Sequence, residues 1–339
     1  MNEKSNRCWL LINRPISEPS EDDFEIRENP IPDLGKNQFL VKIIYLSVDP
    51  YMRGRMRDGA SYAPPAALDE VMVGGAVGQI IKSNNDSYSE GKIVQGNFGW
   101  QEYAVSDGVG VNVVDTSLAP ISTSLGVLGM PGLTAYFGLL EVGRPVLGET
   151  IVISAAAGAV GSVVGQIAKI KGCNVVGIAG GSEKCRYLEE ELGFDYTIDY
   201  KSQLNISNAL DSTCPKGIDI YFDNVGGAIL DEVLNHINLG ARIPICGMIS
   251  EYNLSEPQLV PRPTRALLVN RARMQGLLVW DWVERRQEGI EQMARWIKEG
   301  KLHYKEDILE GIDKAPEAFL KLFKGQNFGK QIIKVGDLQ

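Results

Sequence analysis

"SAAAGAVGSVVG", residues 154–165, follows the apolar run TIVIS and precedes a helical pattern, the setting of a dinucleotide-binding turn. In the G-x-G-x-x-G pattern of such turns the glycines have separate tasks. One makes the tight turn, one lets the backbone approach the pyrophosphate, and one packs helix closely on strand. Gly158 and Gly161 keep the second and third tasks, while Ala156 stands at the first position. Alanine serves there if the turn asks only for a negative φ. Val160, Val163, Val164, Ile167 and Ala168 then recur at helical spacing on one face. Gly172 is placed to close that helix as a left-handed cap, and CNVVGIAG is the next strand. Strand, glycine turn, helix and second strand in this order predict that Gly158, Ala159, Val160 and Gly161 meet a nucleotide's phosphates at a helix N-terminus. Packing alone would explain Gly161 but not the run of small residues before the helix.

The second strand decides which nucleotide. A site for NAD carries an Asp or Glu at its tip, accepting hydrogen bonds from the adenosine ribose 2′-OH. Here the tip reads Ala179, Gly180, Gly181, Ser182, with no acid. Two glycines and a serine leave room for a 2′-phosphate. Lys184 can neutralise it, and Ser182 with the helix start can donate to it. Glu183 is expected to face solvent in the first turn, where the helix dipole favours it. Elsewhere Lys184 would read as a solvated surface lysine; the missing acid points instead to NADPH. Ser182 is the expected N-cap of a helix that runs to Leu192 and closes at Gly193.

Further on, YTIDY, IDIYFDNVGG, ARIPICG and MQGLLVW supply four more strands, most of them separated by helical patterns. This alternation predicts an α/β, doubly wound parallel sheet over residues 126–297. Residues 1–125 differ in kind. RCWLLI, QFLVKIIYLSV, EVMVGGAVGQII, GKIVQGNF and QEYAVS are short apolar runs broken by turn residues, the pattern of a mostly β domain of barrel type. KQIIKV follows the parallel sheet, so residues 298–339 are expected to return to that first domain.

Composition narrows the partners. A net charge of −9 over 339 residues repels nucleic acid and anionic membrane from most of the surface. No segment has the length or apolarity of a bilayer span, and MNEKSNRCWLLINRP is too short in its apolar run for a signal peptide. Five scattered cysteines without a C-x-x-C pair read as reduced thiols of a cytoplasmic protein. With two histidines in the chain, neither of them in residues 1–125, and one cysteine there, the usual nitrogen and sulfur ligands of a catalytic zinc are not available.

The two-domain order resembles the medium-chain dehydrogenase/reductase superfamily, and several stretches carry a closer likeness. LSVDPYMRGRM (46–56), MVGGAVG (72–78), LGMPGLTAYFGL (128–139), AAAGAVGSVVGQIAKIKGCNVVGIAGGSEKC (155–185), IDIYFDNVGG (218–227), ICGMISEYN (245–253) and APEAFLKLFKGQNFGKQIIKV (315–335) span the chain almost end to end. They resemble the zinc-free reductases of conjugated carbonyls: the leukotriene hydroxydehydrogenase/prostaglandin reductase group, plant alkenal double-bond reductases and, most of all, bacterial curcumin reductase. The likeness implies a GroES-like β domain beside the Rossmann domain. It implies hydride transfer from NADPH to the β-carbon of an enone, with charge moving to the carbonyl oxygen. Tyr252 in ISEYN matches the family's hydrogen-bond donor to that oxygen, and Tyr51 in DPYMR a second tyrosine of the substrate pocket. Tyr200, Asn224, Gly247, Leu278 and Asn327 match cofactor contacts. From residue type alone, Asn224 and Asn327 serve equally as turn formers, Tyr200 as a surface tyrosine and Leu278 as core.

A zinc-free quinone reductase shares this fold and cofactor, and a non-catalytic NADPH-binding redox sensor shares them without the chemistry. Homodimerisation is implied by the resemblance only. Residues 253–265, NLSEPQLVPRPTR, form a proline-rich connection, read either as a substrate rim or lid or as a mobile loop without function.

Overall fold

The computed structural model describes residues 5–203 and 205–339. Strand Thr150–Ser154 is buried along its whole length, because helices cover both faces of the sheet to which it belongs. Ile151 and Ile153 pack with the side that carries helix Gly161–Ile170, and Val152 packs with the other side. The sheet has six strands, in the order Tyr196–Asp199, Asn174–Ala179, Thr150–Ser154, Ile218–Phe222, Ile237–Ile245, Arg273–Gly276. Every neighbouring pair is parallel. All the strands therefore end on one edge. The order reverses between Thr150–Ser154 and Ile218–Phe222, so their carboxyl ends open the crevice in which such sheets bind ligands.

Helix Gly161–Ile170 buries Val163, Val164, Ile167 and Ala168, four of the five residues of the predicted face, while Val160 precedes the helix at its N-cap and is partly buried. Gly172 (φ 79°) and Gly193 (φ 72°) take the left-handed conformation after their helices. One expectation changes here. Ser182 is the first residue of helix Ser182–Glu190, and the N-cap position belongs to Gly181, at φ 100°. The chain must swing sharply from strand to helix there, through a backbone region that serine rarely enters. A second correction concerns MQGLLVW. The strand stops at Gly276, and a 3₁₀ turn, Val279–Arg285, begins soon after.

The other part of the molecule is built on a seven-stranded sheet and a three-stranded one. Residues 100–102 stitch the two together: Trp9 donates to Trp100 O (2.9 Å), Glu102 to Arg7 O (3.1 Å) and Ile43 to Glu102 O (2.8 Å). Strand Lys330–Lys334 runs antiparallel to Phe39–Ser47 and parallel to Glu306–Glu310. The C-terminal segment thus completes the sheet begun by the N-terminal one. Helix Ala315–Phe323 connects those last two strands and sets Phe319 against Trp100 (5.8 Å) and Phe24 (6.1 Å). Among the described residues no helix is long and apolar enough to cross a membrane. The cysteines are all free thiols, four of them buried.

Candidate active site

The glycine turn is tighter than its sequence suggests, and its strain sits one residue early. Ala155 takes the left-handed conformation (φ 48°), whereas Ala156 is fully buried and donates to Ile178 O at 3.0 Å. A Cβ on Gly161 would lie 2.5 Å from Ala155 O and 2.8 Å from Ala156 Cα. Only glycine lets this helix start so close to the strand. A Cβ on Gly158 would meet one atom, Ala155 O at 3.1 Å, and otherwise open space. Ala159 and Val160 carry the chain from Gly158 into the helix, both partly exposed. The returning C-terminal segment docks here: Gly329 donates to Ala157 O at 3.1 Å and bridges Gly158. Asn327 lies in that docked segment, its amide bonded to Gly329 O at 3.0 Å.

At the tip of the second strand, a Cβ on Gly180 would lie 2.9 Å from the Tyr200 ring and 3.0 Å from Lys201 Cε. Tyr200 and Lys201 therefore lie over the bare backbone. Lys184 is half-buried, and its ammonium donates to Gly325 O at 2.8 Å rather than to a carboxylate. Burial and the neighbouring charge of Lys201 push its pKa down. Two like charges held together in this way suit a doubly charged anion. Ser182 and Glu183 are exposed in the first turn. An acid is nearby after all, but it is engaged. Asp199 accepts from Gly181 N (2.8 Å) and Lys201 N (3.0 Å), and these backbone bonds help hold its pKa low. Lys201 was missed in the sequence; its one signal is its place directly after Tyr200.

At the crevice, Ser154 and Asn224 tie the two central strand ends together. Asn224 donates its backbone N–H to Ser154 Oγ (2.9 Å) and its side-chain amide to Ser154 O (2.7 Å). Ser154 Oγ and Tyr221 OH in turn donate to the buried carboxylate of Asp223 (3.1 and 2.9 Å). Asp223 O accepts from Cys246 N and Gly247 N (2.8 and 3.2 Å), which brings the next strand end alongside. Leu278 lies past the end of the edge strand on the same side, half-buried.

Tyr252 stands over this edge. Its hydroxyl accepts from Met248 N at 3.3 Å and would lie 3.2 Å from a Cβ on Gly247. With the backbone amide as its donor, the phenol keeps its own hydrogen for another partner. Burial raises its pKa to about 12, so it remains protonated at neutral pH. Tyr51 opens the short helix Met52–Arg55, after a segment pinned by the buried Asp49–Lys330 ion pair (3.0 Å). Burial, and then Asp49, raise the Tyr51 pKa further still. Tyr62 follows in the loop after that helix, and burial raises its pKa. It packs edge-on against Trp280 at 5.7 Å, and both rings are more than half exposed. Tyr62 sits in an irregular loop, where no periodic pattern could single it out. Among the described residues the predicted cofactor positions follow the carboxyl ends of the parallel strands, Asn327 and Tyr252 lie in segments that pack on those ends, and Tyr51 precedes the helix whose Arg53 bonds Asn253.

Among the described residues no group of three or more His, Cys, Asp or Glu could hold a metal ion. Two family models match the chain: residues 7–114 fit an "N-terminal domain of oxidoreductase" and residues 159–299 a "Zinc-binding dehydrogenase". The donor set does not fit the zinc of the second description. YfmJ of Bacillus subtilis is 52% identical over 96% of this chain and 97% of that protein. The NADPH-dependent curcumin reductase of Escherichia coli is 46% identical over 98% of each. The crystal structure of CurA from Vibrio vulnificus in complex with NADPH superposes with a TM-score of 0.93 at 44% identity, covering 98% of this chain and 99% of that one. The chain belongs to the zinc-independent branch of the medium-chain dehydrogenase/reductase family that contains the curcumin and prostaglandin reductases.

Proposed function

We propose that this protein is an NADPH-dependent reductase of the C=C bond of α,β-unsaturated ketones and aldehydes. The observation that carries the reading is the Tyr252 hydroxyl, held over the sheet's carboxyl edge by Met248 N–H with its hydrogen free for a substrate oxygen. Gly158, Ala159, Val160 and Gly161 would hold the pyrophosphate. Gly181, Ser182, Lys184, Tyr200 and Lys201 would hold the 2′-phosphate, and Asn224, Gly247, Leu278 and Asn327 the remainder of the cofactor. When bound, NADPH supplies a hydride to the β-carbon. Tyr252 then donates to the carbonyl oxygen as negative charge develops there, the role a preorganised donor fills without reorganising. Tyr51 would orient the carbonyl, while the aromatic pair Tyr62 and Trp280 suits a flat substrate.

The reading includes a cytoplasmic homodimer. Support for dimerisation lies in the edge strand Arg273–Gly276 and in the exposed Leu268 and Val269 of the helix that precedes it in the chain. Size-exclusion chromatography with light scattering measures it directly.

The deciding experiment gives the purified protein NADPH with an enone and, separately, with a quinone, and identifies the products. A saturated ketone supports the proposal. Quinol with no saturated ketone would assign a quinone reductase, and binding of NADPH without turnover of either a redox sensor.

A further inference from the structure

Tyr252 is held from two directions. On its own side, Ser250 N and Oγ both donate to Val225 O (3.2 and 2.6 Å), and Gly227 N donates to Glu251 (3.2 Å). On the other side the ties cross the cleft. Arg53 Nε donates to Asn253 Oδ1 at 3.0 Å, and Arg57 donates to Leu254 O. Both arginines follow Tyr51, one in its short helix and one just beyond.

Arg53 is an unusual residue to bury. It is fully enclosed, and its Nη2 donates to Pro15 O (3.0 Å) and Ser17 O (2.6 Å). No carboxylate is bonded to it, and Nη1 has no partner among the described residues. Burial, and then the charge of Arg57, lower its pKa to about 10. For stability alone, an apolar side chain of the same volume serves as well as a buried charge. What the guanidinium adds is a rigid fork with fixed donor directions. That fork joins residues 15–17, the helix after Tyr51 and the residue after Tyr252.

We propose that Arg53 is a positioning residue for the reaction: its bond to Asn253 fixes the Tyr252 hydroxyl relative to Tyr51, so that one substrate carbonyl fits between them. This rests on the reading of Tyr252 as donor to that carbonyl. Because positioning acts on the transition state more than on binding, its loss lowers kcat and leaves cofactor affinity alone.

The test begins with Asn253→Ala, which removes the acceptor and leaves the buried arginine and its other bonds in place. Steady-state kinetics with NADPH and an enone should show kcat down about tenfold, with KM and NADPH affinity within about twofold. Asn253→Asp, which restores an oxygen acceptor for Arg53, should recover most of the rate. In a Tyr252→Phe background the Asn253→Ala loss should vanish, since there is no hydroxyl left to position. An unchanged kcat in Asn253→Ala overturns the proposal, as does a tenfold loss that persists undiminished in the Tyr252→Phe background. If Tyr252→Phe itself is as fast as the natural protein, the reading of Tyr252 fails first and the positioning role falls with it.

Discussion

Replacing Lys184 by methionine keeps the half-buried stem and removes the charge. In the free protein this ammonium lies near Lys201, and burial and that neighbour both disfavour its charged form. A 2′-phosphate would relieve both effects. A hydrogen bond between charged groups contributes about 1.5–3 kcal/mol. At about 1.4 kcal/mol per tenfold change, Lys184→Met should weaken NADPH binding by roughly tenfold to a hundredfold. NADH has no phosphate there, so its affinity should change by less than about twofold. The pH dependence follows from the sign of the shift. The Lys184 pKa is lowered in the free protein, and bound phosphate raises it. NADPH affinity should therefore be full at neutral pH and decline in the alkaline range, beginning before an ordinary lysine titrates. It should also weaken in acid as the phosphate's second ionisation, near ~6, is reversed. Fluorescence titration of both cofactors across this range, at fixed ionic strength, measures all of it. Equal losses for NADPH and NADH, or an unchanged NADPH affinity, would refute the reasoning and remove Lys184 from the phosphate site.

Tyr252→Phe should lower kcat by ~10²–10³, as the loss of one oxyanion donor does. In the unmodified protein, ionisation of this phenol should not reduce the rate until the pH approaches about 12. Gly161→Ala drives a Cβ to 2.5 Å from Ala155 O, so it should cost about 1–3 kcal/mol in urea denaturation and weaken NADPH binding as well. Gly158→Ala, whose Cβ faces open space beyond one carbonyl, should weaken NADPH binding with little loss of stability. Asp49→Ala strands the buried Lys330 charge and should cost ~3–5 kcal/mol, whereas Asp49→Ala with Lys330→Met should recover most of it. Thermal unfolding of the single and double variants checks this.

Much of the cofactor half was legible in the residues themselves. The spacing of Val163, Val164, Ile167 and Ala168, the glycines that close each helix, and the acid missing before Lys184 are all local patterns, read within a few residues of one another. Local sequence fixes local backbone, and the alternation of strand and helix leaves few ways to build a sheet. Even there, the left-handed residue proved to be Ala155 and the cap Gly181, because turn geometry depends on what the strand ends must reach. Tyr252 and Tyr51 came from likeness to a family, since nothing in their spacing marks them. Tyr62, Lys201 and the Arg53–Asn253 bond, 200 residues apart in the chain, emerged only in the folded molecule. Single polar residues from separate loops leave no period in a sequence. The partners of Lys201 are chosen by how neighbouring strand ends meet within the parallel sheet, and those of Arg53 and Tyr62 by the docking of the β domain against that sheet.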